Sequence, residues 1–292
     1  MVAEHYIAVD GIRTRYLEQG SGPPLILVHG GTFGGAHCAE DWRLNLPGFA
    51  QHFRVLAIDK IGSGWTDNPS RDEDYAIGAT VTHLRGFMQA MGIASAHLVG
   101  HSRGGYAVTR LALESPEMAR TVTIVSSASL MTAPNPIYTE WAKKAAQIAD
   151  ERERMHYLVR ANSHSGGHIG EDHIDRLLAV DRLHKIREAE RKMNRIDGTR
   201  WKQFSADLVI QQTETREWVA RDGFKHPLLI VWGFNDPSAR FDPTGIDAIR
   251  LLMPHAPNSE VHILNEAGHY VFREQRAAFE AVVTDFCTRN VK

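Results

Sequence analysis

Six short, almost uninterrupted apolar runs, separated by longer stretches of helical spacing, leave this chain few folds to choose from. The runs are 24–28 (PLILV), 53–58 (FRVLAI), 96–99 (AHLV), 122–125 (VTIV), 227–232 (PLLIVW) and 261–264 (VHIL). They are short, rich in β-branched residues and bounded by Gly and Asp, as strands buried on both faces must be. Helical patterns fall between or after them, at about 77–91, 104–114, 245–253 and 273–288. Strand and helix in alternation predict βαβ units and an α/β fold, with a mostly parallel sheet flanked by helices. The opening segments 6–9 and 13–18, around the turn Asp10-Gly11, predict an antiparallel hairpin at the sheet edge.

The alternation breaks after the sixth predicted strand and resumes at Pro227. The intervening pattern is helical and polar, as in 140–146 (EWAKKAA), with 163–167 (SHSGG) as a breaker. The simplest reading is a core of residues 1–130 and 224–292 carrying a helical lid, 131–223, over the carboxyl ends of the strands, where open α/β sheets keep their ligands.

Composition removes several function classes. Hydrophobic residues are 43% and charged residues 23%, with a formal net charge of −2, which gives no basic surface for nucleic acid or an anionic membrane. Two cysteines, Cys38 and Cys287, form neither a disulfide framework nor a ligand cluster. No basic stretch followed by an apolar core opens the chain, and no apolar run approaches the roughly 20 residues that span a bilayer. The expectation is a cytoplasmic protein acting on a small molecule, with no cofactor.

The stretch 98–106 (LVGHSRGGY) carries the chemistry. Gly100-His101-Ser102-Arg103-Gly104 fits G-x-S-x-G and stands directly after a predicted strand and before a predicted helix. There a sharp turn exposes the serine hydroxyl above the sheet; a serine that merely caps a helix between turn glycines would need no such context. A hydroxyl is a weak nucleophile until a base takes its proton. His269, in 265–270 (NEAGHY), follows the last predicted strand and is the candidate base; His255 and His262 read as surface or core histidines. Asp236, ending the run 232–237 (WGFNDP), is the candidate acid, because it completes the order nucleophile, acid, histidine; Asp59 precedes Ser102 and breaks that order. Candidate oxyanion donors are the backbone N–H groups of Arg103 and of Gly31 in His29-Gly30-Gly31, with Thr32 next in line. His164, His168 and His173 have spacings that could hold a metal, but they lie in the glycine-rich breaker region, and no metal site is expected.

With these motifs in place, the chain resembles the α/β-hydrolase superfamily over essentially its whole length. Within it, 11–20 (GIRTRYLEQG), 41–47 (DWRLNLP), 59–64 (DKIGSG) and 231–236 (VWGFND) are most similar to the meta-cleavage product hydrolases, which cut a carbon–carbon bond in vinylogous diketo acids from aromatic ring cleavage. The resemblance implies a serine-dependent, metal-free hydrolase, often a homo-oligomer. Four positions depart from that family's pattern. His101 stands where the family has Asn, Asp41 replaces another Asn, and Tyr270 replaces the Trp after the histidine. The lid arginine that grips the substrate carboxylate falls on Leu177, one step from Arg176. Thr32, Asp41, His101, Arg176 and Tyr270 are therefore the candidate substrate-facing residues. Hydrolysis of a diketo acid is the leading expectation. An esterase or lactonase acting on an uncharged aromatic or alicyclic compound is the alternative, and a ligand-binding module with an idle triad is a remoter one.

Overall fold

The computed structural model describes residues 2–131, 137–194 and 198–290. All eight expected strands are present, as β1 (Ala3–Val9), β2 (Ile12–Gln19), β3 (Pro24–Val28), β4 (Arg54–Ile58), β5 (Ala96–His101), β6 (Ala119–Val125), β7 (Leu228–Gly233) and β8 (Glu260–Leu264). They form one sheet in the order β1-β2-β4-β3-β5-β6-β7-β8. The β1–β2 hairpin is antiparallel and joins β4 antiparallel, and every later pairing is parallel.

The period-2 pattern explains why the sheet is buried on both faces. Ile26 and Val28 of β3 join one apolar cluster with Leu98, Ile124 and Trp232. Leu25 and Leu27 point the other way, into a second cluster with Val99, Val125 and Val231. The first cluster is covered by α2 (Ile77–Ala90) and α3 (Arg103–Glu114), which follow a four-residue helix α1 (Leu46–Phe49).

Between β6 and β7 lies the helical insertion: α4 (Ile137–Ala145), α5 (Glu151–Ala161), α6 (Glu171–Asp181), α7 (His184–Met193) and α8 (Thr199–Asp222). Asp150 caps α5, its carboxylate accepting the Glu153 N–H at 2.8 Å. The sheet is completed by α9 (Ile246–Leu252) and, after β8, by α10 (Val271–Glu274) and α11 (Arg276–Arg289). The C-terminal stretch, expected as one helix from 273, is thus divided. Gln275 leaves the helical region with φ −118° and ψ 48°, so α10 docks Phe272 into the core before α11 sets out. Among the described residues, no helix is long and apolar enough to cross a membrane.

Strand order fixes where chemistry can happen. The chain passes from β3 outward to β4, then back across β3 to β5, so connections leave opposite sides of the sheet between β3 and β5. That is the topological switch point, where a crevice opens beyond the strand ends. The loops after β3 and β5 carry Gly30-Gly31 and Ser102.

Candidate active site

Ser102 sits between β5 and α3 with φ 51° and ψ −120°, a conformation that side chains rarely adopt. The neighbours that hold it there are identifiable. Its N–H donates to Val125 O at 2.9 Å, and its carbonyl accepts the Ser127 hydroxyl at 2.6 Å, both from the end of β6. Small residues are required on either side. A Cβ on Gly100 would overlap the Gly104 carbonyl, and one on Gly104 would overlap the Val28 carbonyl. Gly104→Ala should therefore cost about 3 kcal/mol, the upper part of the usual range, since backbone rather than a flexible side chain would have to move. Urea unfolding measures this, and an unchanged midpoint would refute the packing of α3 directly on the end of β3.

Asp236 and His269 meet from two neighbouring strand ends. The loop after β7 is laced to the loop after β8: Phe234 N–H donates to Leu264 O and Asn235 N–H to Ala267 O, both at 2.9 Å. Asp236 Oδ1 accepts the N–H of Ser238 and of Ala239, each at 2.8 Å, and the Ser238 hydroxyl at 3.1 Å. Its Oδ2 lies 2.7 Å from His269 Nδ1. Three donors on one oxygen keep the carboxylate fixed, and the other oxygen selects the imidazole tautomer with the proton on Nδ1. Asp59, the competitor in the sequence, is committed elsewhere. It accepts the N–H of Ala39 at 2.7 Å and of Trp65 at 2.9 Å and pairs with the buried Arg15 at 3.3 Å.

Both backbone groups of His269 are also held. Its N–H donates to Asn162 O at 3.0 Å, at the end of α5, and its carbonyl accepts from His101 Nε2 at 2.9 Å. The His101 and His269 rings lie 4.5 Å apart between centroids, which brings His269 beside the residue preceding Ser102. Burial first, and then the nearby His269, push the His101 pKa well below the ordinary histidine range, so this ring is neutral. Only 2% of His101 is exposed, and it packs against Trp42, Tyr270 and Phe272. That position makes it a support for the histidine loop.

The loop after β3 is pinned by its carbonyls. Lys60 N–H donates to His29 Nε2 at 3.1 Å, which leaves the His29 proton on Nδ1, where it donates to Gly30 O at 2.7 Å. Burial, then the adjacent Lys60, keep His29 neutral by pushing its pKa far down. Lys60 Nζ donates to Gly30 O at 2.9 Å and to Gly31 O at 2.8 Å. A Cβ built on Gly30 would stand 3.0 Å from Ser102 Cβ, so this loop lies against the serine. Thr32 and Gly31 are partly exposed at its tip.

The other candidate residues divide. Asp41 is fully buried, its Oδ2 3.0 Å from His37 Nδ1 and its Oδ1 3.9 Å from His173 Nε2. Burial alone would raise its pKa, but His37 beside it, and then His173, hold the carboxyl well below the usual carboxylate range. His37 in turn packs on Gly31 and on the Tyr270 ring, whose hydroxyl is 3.5 Å from His37 Nε2. Arg176 is not part of this group. Its Nε lies 3.5 Å from Glu40, and the side chain is 37% exposed. Among the insertion histidines, His168 lies 2.8 Å from the Ser163 hydroxyl and accepts from Arg273 at 3.3 Å.

Lys60, Asn162, Ser238 and Glu274 were not singled out from sequence. Glu274 accepts the N–H of Gly268 and of Ser165, both at 2.8 Å, tying the histidine loop to the insertion. Lys60 alone left a legible signal, a lysine following a strand-end aspartate inside an apolar context.

The family described as alpha/beta hydrolase fold matches residues 23–275. The chain belongs to that family. Its α/β-hydrolase relatives include the 2-hydroxy-6-oxo-2,4-heptadienoate hydrolase of Pseudomonas putida, 26% identical over 96% of this chain and 94% of that one. The dihydrolipoyllysine-residue acetyltransferase component of an acetoin cleaving system from Cupriavidus necator is 28% identical over 96% of this chain and 68% of that protein's length. Among solved structures, a 2-hydroxy-6-oxo-6-phenylhexa-2,4-dienoate hydrolase from a Rhodococcus strain superposes with a TM-score of 0.77 at 23% identity, over 98% of both chains. The likeness to meta-cleavage product hydrolases thus holds in sequence and in fold.

Proposed function

We propose that this chain is a serine hydrolase in which Ser102 attacks a carbonyl carbon, His269 carries the proton and Asp236 orients His269. The observation carrying this reading is the 2.7 Å contact from Asp236 to His269 beside a serine in a strained strand–helix turn. In the proposed cycle Ser102 Oγ bonds to the carbonyl carbon while its proton passes to His269 Nε2. The resulting oxyanion sits against the N–H groups of Arg103 and Gly31. Collapse breaks the bond to the leaving group, which takes the proton from His269. Water then attacks the acyl-serine, giving up a proton to His269; the bond from the carbon to Ser102 Oγ breaks, the oxygen takes that proton back from His269, and the acid departs.

Kinship with the dienoate hydrolases supports a carbon–carbon bond in a diketo acid as the bond cut. On such a substrate the enol must first become the ketone, and this reading assigns that proton shift to His269. A second reading, an ester or lactone without a carboxylate, is favoured by the buried anionic Asp41 next to Gly31 through His37. Pairing of Arg176 with Glu40 points the same way.

Turnover of coloured vinylogous diketo acids and of neutral aryl esters, with fluorophosphonate labelling alongside, decides among the readings. Diketo acid cleavage above ester cleavage supports the first reading, and the reverse order the second. Failure on both panels with no labelled serine would favour a binding module and end the hydrolase proposal.

A further inference from the structure

In the loop after β3, the Gly30 and Gly31 oxygens share one buried donor, Lys60, and the Gly30 oxygen accepts from His29 Nδ1 as well. The peptide joining Gly30 to Gly31 carries the Gly30 oxygen and the Gly31 N–H; the next carries the Gly31 oxygen and the Thr32 N–H. In a trans peptide, oxygen and N–H point to opposite sides. Lys60 Nζ takes both oxygens, at 2.9 and 2.8 Å, so both N–H groups are turned away from it. Two successive carbonyls converge on one nitrogen because Gly31 adopts φ +70°, which a glycine reaches at no steric cost.

Lys60 is an expensive way to fill this space. It is only 4% exposed, and its head group bonds carbonyls rather than a carboxylate. An aliphatic residue would avoid the desolvation of an ammonium. We propose that Lys60 is a positioning residue of the oxyanion site, locking the Gly30–Gly31 and Gly31–Thr32 peptides with their N–H groups toward the substrate oxygen and strengthening those donors by drawing electron density onto the carbonyls. The second effect follows from hydrogen bonds in series, each polarising the next in a low-dielectric interior. Burial, and then the nearby Arg103, bring the Lys60 pKa down to about 7. Either protonation state retains the two hydrogens that the two carbonyls require.

This inference rests on the serine-hydrolase reading, and its test separates the two. Aryl boronic acids add to an activated serine and place an anionic oxygen where the oxyanion forms. Wild type should bind such a probe and Ser102→Ala should not; a wild type that binds none overturns the serine reading and this inference with it. Given binding, Lys60→Met should lower kcat by about 10- to 100-fold with KM within about twofold, less than the loss of a direct donor. Boronate affinity should fall by the same factor, and Lys60→Gln, whose amide offers two hydrogens, should recover part of both. A folded Lys60→Met enzyme with wild-type kcat would overturn the proposal. So would a fall in kcat without a matching fall in boronate affinity, the mark of a side chain that only supports the fold. Should Lys60→Met not fold, Lys60→Gln against wild type decides by the same comparison.

Discussion

Ser102→Ala should lower kcat by about 10⁶-fold, the scale on which a serine nucleophile is lost when the rest of a triad remains. Its folding should survive. The substitution removes one oxygen from a half-buried side chain and leaves in place the two hydrogen bonds of its backbone, to Val125 O and from the Ser127 hydroxyl, that hold the turn. The measurement is kcat on the best substrate of either panel, with a thermal melt to show that the protein is folded. Activity within tenfold of wild type would remove Ser102 from the mechanism.

Asp236→Asn should cost about 10⁴ in kcat while leaving KM nearly unchanged. The direction of the amide is dictated by the donors around it. Ser238 N–H, Ala239 N–H and the Ser238 hydroxyl all converge on one oxygen, so the Asn carbonyl must take that side. Its NH2 then faces His269 Nδ1, which can only accept, and the imidazole proton moves to Nε2. An imidazole protonated there cannot take the serine proton. Steady-state kinetics with a melt control test this, and a loss of only tenfold would point to another acid.

Much of the scaffold could be read before any coordinates, because burial on both faces writes itself into sequence as apolar runs. The places of the strands along the chain and the hairpin followed from those runs and from Asp10-Gly11; the order of the strands in the sheet did not. Ser102, Asp236 and His269 could be nominated for a related reason: each lies in the turn or loop that follows a run, and beyond a strand end is where this architecture exposes side chains. What stayed hidden depends on partners distant in the chain. Arg176 lies one residue from the inward-facing Leu177, and only the fold shows that it turns to Glu40. His101 adjoins the serine, yet its hydrogen bond goes to the backbone of His269, 168 residues on. The break between α10 and α11 also leaves no mark, because the residues on both sides are helix formers.

The tie from the His269 N–H to Asn162, with Glu274 bridging Gly268 and Ser165, has a consequence for how such chains can diversify. In the proposed mechanism the helical insertion also steadies the general base. Grafting a foreign insertion here should then alter turnover together with any change in selectivity.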